Sequence, residues 1–295
     1  MLNSVRVAYA VVLLSCLCSI NSHAEIHTRG NSMMNSEEYL KEIIHYDAVP
    51  APPATMKPGF FFNSHDYPLL DEYEVIRDNI YGTESSLSTR SLMLKMKESI
   101  VYLTISVSSK NSEDARELML SNLVSEISMS PDVFALGSLG IGEFSVVRKA
   151  KVGESSSTVG FARNNIGVKI FSRDVEFNTE NFARQIDGKI LKQKDYDKDA
   201  LQKMVPVMKE VRAPVKVKKD TSFKVAVEID QEQGKDIILY EFEYNDEMLA
   251  FQDQSGPTAT FRGLKKGETV VHCVVVRKSD LLSNSRDVKV MITDK

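Results

Sequence analysis

The chain opens on an uncharged apolar block at positions 7–17, preceded by Arg6 and followed by a more polar stretch ending Ser22-His23-Ala24. That block is too short to cross a bilayer as a helix. One positive charge, an apolar run and small residues at positions 22 and 24 make the pattern of a secretory signal peptide over residues 1–24, cleaved after Ala24. Residues 25–36 are polar and aperiodic. A short helix is expected over 37–46, with Ser36 as cap and Leu40, Ile43 and Ile44 on one face. Val49-Pro50-Ala51-Pro52-Pro53-Ala54 ends it, because proline lacks the amide donor and pushes its neighbours towards extended backbone. Residues 25–59 therefore read as a disordered or short-helix arm with a Pro-rich linker.

From residue 60 to 194 the periodicity alternates between two and three to four residues, the pattern of an α+β domain. Strands are expected at 91–97 and 99–107, where Val101, Leu103, Ile105 and Val107 alternate with Tyr102, Thr104 and Ser106. Asn111 or Ser112 then caps a helix carrying Leu120, Leu123, Val124 and Ile127, which Ser130-Pro131 stops. Three more strands are expected near 143–149, 158–163 and 166–171, the last two joined by the hairpin turn Asn164-Asn165. A second helix over 179–192 turns Phe182, Ala183, Ile186 and Ile190 inward. This order suits an antiparallel sheet with its helices on one face.

Residues 195–212 are charged and carry Pro206 inside a helical pattern, so a linker or broken helix is expected there. From 213 to 295 the alternation is that of an all-β sandwich of about seven strands. Phe223, Val225, Val227 and Ile229 form one apolar row, and Val271, Cys273 and Val275 another. The segment Ala259-Thr260-Phe261-Arg262-Gly263-Leu264-Lys265-Lys266-Gly267-Glu268, followed by valine-rich strands at 270–276 and 286–292, resembles the last strands of bacterial immunoglobulin-like modules of the polycystic-kidney-disease type. It departs from them at 279–285, where Asp280, Leu281 and Leu282 replace the usual tight glycine turn. The resemblance implies an Ig-like spacer or adhesive module outside the cytoplasm, and no reaction. At the other end, Leu13-Leu14-Ser15-Cys16 resembles the lipobox of bacterial lipoproteins, which implies an acylated Cys16 as the alternative to cleavage after Ala24.

Charge and cysteine content narrow the function classes. The full chain has a net charge of −4, and loss of Arg6 with the signal takes it to −5, which gives no electrostatic footprint for nucleic acid. Cleavage also removes Cys16 and Cys18 and leaves Cys273 alone, so no intramolecular disulfide is available. No apolar stretch after the signal is long enough to span a membrane.

Candidate chemistry is sparse. No two of His27, His45, His65 and His272 stand at the i, i+4 spacing of a metal pair, and neither a cofactor nor a metal is expected. Asp195-Tyr196-Asp197-Lys198-Asp199 imitates the start of a calcium loop but has Ala200 and Pro206 where glycine and a bidentate glutamate belong. The glycine-bearing stretch 137–142 follows a helix and precedes a strand, the reverse of a phosphate loop. Strand alternation puts His272 and Cys273 on opposite faces, which disfavours a nucleophile pair. The one dense aromatic cluster, Phe60, Phe61 and Phe62 with Tyr67, is either a partner-binding patch or part of the core.

The expectation is a periplasmic or extracellular, non-enzymatic interaction protein, or its membrane-anchored lipoprotein form. The alternative is an enzyme or enzyme accessory acting on envelope or extracellular polymer, with its site between residues 130 and 163. A secreted toxin or inhibitor is a third reading.

Overall fold

The structure, a computed structural model, describes residues 51–83, 87–97, 99–129, 134–137, 139–148, 157–174, 176–230 and 236–294, with a short pairing of Ile26–His27 against Met33–Met34. The expected signal segment, with Ala24 and Cys16, and the expected helix at 37–46 lie outside the described residues. The described chain is mostly β, built from antiparallel sheets, and has three α-helices.

The first sheet has seven strands: β1 (Glu74–Gly82), β2 (Leu87–Met96), β3 (Ser99–Ser108), β4 (Phe134–Gly137), β5 (Phe144–Arg148), β6 (Ser157–Arg163) and β7 (Ile166–Ser172). Their spatial order is β1-β2-β3-β7-β6-β5-β4, with every pair antiparallel. Helix α1 (Glu113–Met129) follows β3 and helix α2 (Thr179–Leu191) follows β7. Asn178 caps α2, its side chain accepting the Asn181 N–H at 2.8 Å.

The helices do not share a face of the sheet, contrary to the sequence expectation. Gly160 and Gly167 lie under Met119, Leu123 and Ala115 of α1. Their neighbours Val159, Phe161, Ile166 and Val168 form one core with Phe182, Ala183, Ile186 and Ile190 of α2. Successive strand residues point to opposite faces, so α1 and α2 sandwich the sheet. The glycines at 160 and 167 let α1 approach closely on one side, while the bulky odd-numbered residues of β6 fill the other.

Seven strands spaced about 4.8 Å apart span roughly 30 Å, whereas a helix about 10 Å thick covers only part of that width. Three further pieces complete the cover on the α2 face. One is the arm after the Pro-rich stretch, which contributes Met56, Phe60, Phe62, Tyr67, Leu70 and Tyr73 to the core. Another is helix α3 (Lys198–Gln202), with Leu201 and the following Val205. The third comes from far along the chain: Val276, Leu281 and Leu282.

The remaining strands are β8 (Met208–Arg212), β9 (Lys216–Lys218), β10 (Ser222–Ile229), β11 (Ile237–Tyr244), β12 (Leu249–Ser255), β13 (Thr258–Gly263), β14 (Gly267–Arg277) and β15 (Ser283–Thr293). They form two four-stranded sheets, β8-β10-β13-β12 and β9-β15-β14-β11. Phe223, Val225 and Phe261 from one sheet share a core with Val271, Cys273, Val275, Val290 and Ile292 from the other, an arrangement compatible with a β-sandwich. Only β9 runs parallel to its neighbour. Residues 195–212, expected as linker or broken helix, hold α3 and then β8, which pairs with β10.

The segment between β14 and β15 is where the two parts lock. Arg277 makes a two-pronged contact with Asp280 at 3.1 and 2.5 Å, and Asp280 accepts the Leu282 N–H. Leu281 is held at a φ of 57°, a conformation that costs a branched side chain about 1–3 kcal/mol and persists only where its surroundings over-determine it. Here they do: Ser88 donates its hydroxyl to the Leu281 carbonyl, Phe61 its N–H to Ser279 at 3.2 Å, and Ser283 its N–H to the Ser109 hydroxyl at 2.9 Å. A β-carbon at Gly59 would lie 2.0 Å from the Asp280 carbonyl, so only glycine admits this approach. On the adjoining edge, Gly82 of β1 packs under Val274 and Val276 and donates its N–H to Glu241 at 2.8 Å. Burial pushes the Glu241 carboxyl up to about 7, and the charge of Glu243 adds to that rise.

Two predictions come from this junction. Leu282→Ala should lower unfolding stability by about 2–5 kcal/mol. Urea unfolding followed by both circular dichroism and tyrosine fluorescence should show the two transitions, coincident in the parent, separating in the variant. The second concerns pH. Because the folded state holds the Glu241 proton more tightly than the unfolded chain, this group costs nothing below about pH 4.5, and its cost grows until about pH 7. Glu241→Gln keeps an acceptor for Gly82 and removes the charge. At pH 8 the variant should be more stable than the parent by about 2–3 kcal/mol, and at pH 4.5 the two should match within error, as read from urea midpoints.

Candidate functional site

A set of charged groups gathers at the β6–β7 hairpin. Asn164, at a φ of 51°, and Asn165 turn the chain as the sequence predicts, and both side chains then reach beyond the turn. The Asn165 amide donates to the carbonyls of Lys57 at 2.9 Å and Ser108 at 2.6 Å and accepts the Lys57 N–H at 2.6 Å. Asn164 donates to the Thr55 carbonyl at 2.8 Å. The hairpin thus clamps the arm against the end of β3. Lys57, itself buried, closes the clamp by reaching the Gln193 carbonyl at 2.8 Å and Asp195 at 3.0 Å.

Beside this turn lies a four-charge network. Arg163 grips Asp187 of α2 with two hydrogen bonds of 2.7 Å, and Asp187 also accepts the Gly142 N–H at 3.0 Å. Glu143 accepts the Asn164 N–H at 2.8 Å and stands 3.8 Å from both Arg163 and Arg116. Burial holds the Glu143 carboxyl above its ordinary range, against the opposing pull of the Asn164 N–H and the two arginines. The hydrogen bond from Arg163 to Asp187 holds the guanidinium proton more tightly than usual. Arg116 is almost fully buried, with its guanidinium over the Phe144 ring. The arrangement ties the glycine-bearing loop to α2: the amide of Gly142 is spent on Asp187, so the stretch 137–142 serves as a structural connection.

The aromatic cluster resolves in favour of the core. Phe62 stacks on Tyr67 with centroids 4.8 Å apart, and both meet the Phe182 ring edge-on. Phe60, Phe62 and Tyr67 are buried, and burial drives the Tyr67 phenol well above its ordinary value, with Asp66 adding to the shift. Phe61 is half-buried between Arg90, 3.6 Å from its ring centre, and Lys278. It therefore belongs to the junction. The imitation calcium loop is a helix cap: Asp197 accepts the Ala200 N–H at 2.7 Å and starts α3. Cys273 is a buried free thiol facing the sandwich core, pushed up to about 12 by burial, while His272 on the opposite face meets Asp287 at 2.7 Å.

Two surfaces remain. An open cleft of about 600 Å³ on the sandwich is lined by Glu243, Asp246, Glu268 and His272 with Tyr244 and Met248. Its Glu268 is already paired with Lys289 at 3.1 Å. The other surface is the α1 side of the first sheet. Helix α1 covers β6, β7 and the adjoining part of β3, and from Arg77 to Tyr81, Thr89 to Lys95 and Ile100 to Thr104 that face is half-exposed or exposed. Cross-strand register arranges it in rows: Arg77-Met93-Tyr102-Phe171, then Asn79-Ser91-Thr104-Lys169, then Tyr81-Thr89-Ser106. Tyr102 and Phe171 sit side by side with centroids 5.7 Å apart. Thr89 pairs with Ser106 at 3.0 Å and Ser91 with Thr104 at 3.4 Å. Sequence reading registered Tyr102, Thr104 and Ser106 only as the polar alternates of a strand. The residues that complete the surface, Arg77 and Lys169 among them, lie far apart in the chain.

Fold and sites together define a mostly β chain of antiparallel sheets with few helices. No protein-family model matches the chain, and no curated protein matches it. Among the described residues no group of three or more His, Cys, Asp or Glu side chains is placed to hold a metal ion, and no helix is long and apolar enough to cross a membrane.

The Arg163–Asp187 grip generates its own prediction. Asp187→Ala strands a nearly buried guanidinium and the Gly142 amide, and should cost about 3–5 kcal/mol in urea unfolding, far more than truncation of the exposed pair Lys266–Asp294.

Proposed function

We propose that this is an exported, non-enzymatic binding protein, periplasmic or extracellular, in which the first sheet carries the binding surface and an Ig-like C-terminal sandwich braces it. The observation that carries this reading is the half-exposed face of β1, β2, β3 and β7, where hydroxyls, an amide and a paired tyrosine and phenylalanine lie on a rigid support. A strand face backed by a continuous core presents side chains in fixed positions, which lowers the ordering cost of binding. The lock at Asp280, Leu281 and Leu282 favours bracing over a freely hinged spacer, since separating the two parts would expose buried leucines. The signal pattern ending at Ala24 supports export, with acylation at Cys16 as its tethered form. The competing reading, an enzyme or accessory acting on extracellular polymer, finds its best residue in Glu143, whose contacts belong to the hairpin clamp.

Photo-crosslinking in cells tests the reading. A crosslinking residue at Ser91 should capture a specific partner, protein or polymer, while one at the exposed Lys224 of the sandwich should not. No specific adduct from Ser91, together with turnover of an envelope polymer by the purified protein, would favour the enzyme instead.

A further inference from the structure

We propose that the open face of the first sheet binds a strand of acidic polysaccharide, which gives a ligand class to the surface already read as a binding site and rests on that reading. Charge is the first argument. Arg77, Lys95 and Arg173 are exposed on this face and Lys169 is half-buried there; Glu74 is the one carboxylate the same strands place among them. Among the described residues of these strands, three exposed cations against one carboxylate is a local inversion in a chain whose net charge is −4, and it complements an anionic ligand.

The arrangement of those cations distinguishes a sugar polymer from other anions. Between the row that ends at Lys169 and the row formed by Lys95, Ile100 and Arg173 runs the row containing Tyr102 and Phe171. Rows lie about 7 Å apart along the strands and positions about 4.8 Å apart across them. The aromatic row therefore offers an apolar track for the flat faces of sugar rings, with Arg77 at its end and Lys95 and Arg173 alongside for the carboxylates. Tyr102 combines an apolar ring with a polar tip, the character that suits a ligand with one apolar face and a hydroxylated rim. The Ser91–Thr104 pair, Thr89 and Asn79 add short, fixed donors and acceptors for ring hydroxyls.

The test is calorimetric titration of the purified chain with alginate or polygalacturonate oligosaccharides, with neutral β-glucan oligosaccharides of equal length as comparison. The uronates should bind at least tenfold more tightly than the neutral glucans and weaken as salt rises. Arg77→Glu combined with Lys95→Glu changes only exposed side chains and should weaken uronate binding tenfold or more with an unchanged unfolding midpoint. Tyr102→Ala should weaken uronate and residual neutral binding alike. Equal affinity for neutral and acidic oligosaccharides, full uronate binding by the charge-reversed variant, or tighter binding of anionic vesicles or duplex DNA than of uronates would each overturn the proposal. Failure to bind uronates while Ser91 still captures a specific partner would overturn the ligand class alone. Failure of both would remove the binding surface with it.

Discussion

A seven-stranded sheet has one face too wide for the single helix that follows it, and the rest of the molecule is organised around covering that face. Left open, the α2 side would expose Leu92, Leu94, Val101, Leu103 and Val107 to water. Each such side chain represents about 1.5–3 kcal/mol of burial. The cover is assembled from distant pieces of chain: an arm clamped by Asn164 and Asn165, a five-residue helix, and two leucines from the far end of the sandwich. The opposite face meets a different fate, since α1 covers only part of it and its remaining positions are polar enough to stay half in water.

That division explains why the two halves of the chain are one mechanical object. Leu281 and Leu282, between the last two strands, complete the first core, and Leu281 holds its positive φ while its carbonyl accepts from Ser88. The junction also buries a carboxylate. Glu241 answers the edge of β1 at the amide of Gly82, a group that the sheet leaves without a strand partner, at the cost of holding an acid in a poorly solvated place. Stability is thus tied to pH at the seam.

How much of this was legible differs from element to element. Helix α2 and the strands flanking Asn164-Asn165 stand out because their burial is regular: Val159, Phe161, Val168, Ile170, Phe182 and Ile186 all face one core. Strand β1 escaped notice because it is an edge. With one face half-solvated and a bulge at Ile76, its nine residues read as a charged run with no alternation. The side on which α1 packs was also misjudged, because periodicity identifies a helix's buried stripe but not which face of a sheet it meets. The choice was made by Gly160 and Gly167, whose missing side chains make room for α1.

The sequence by itself determined the local chemistry: where helices start, where the hairpin turns, which positions are apolar, and that Asp197 caps a helix. These depend on residues near one another in the chain. Only the tertiary structure decided which apolar segments share a core, that Phe60, Phe62 and Tyr67 are spent on packing, and that Arg77, Lys95, Lys169 and Arg173 converge on one face. Those outcomes depend on strand order and register, which pair Val101 with Ser172 and Thr104 with Lys169 on neighbouring strands, and no local pattern records them.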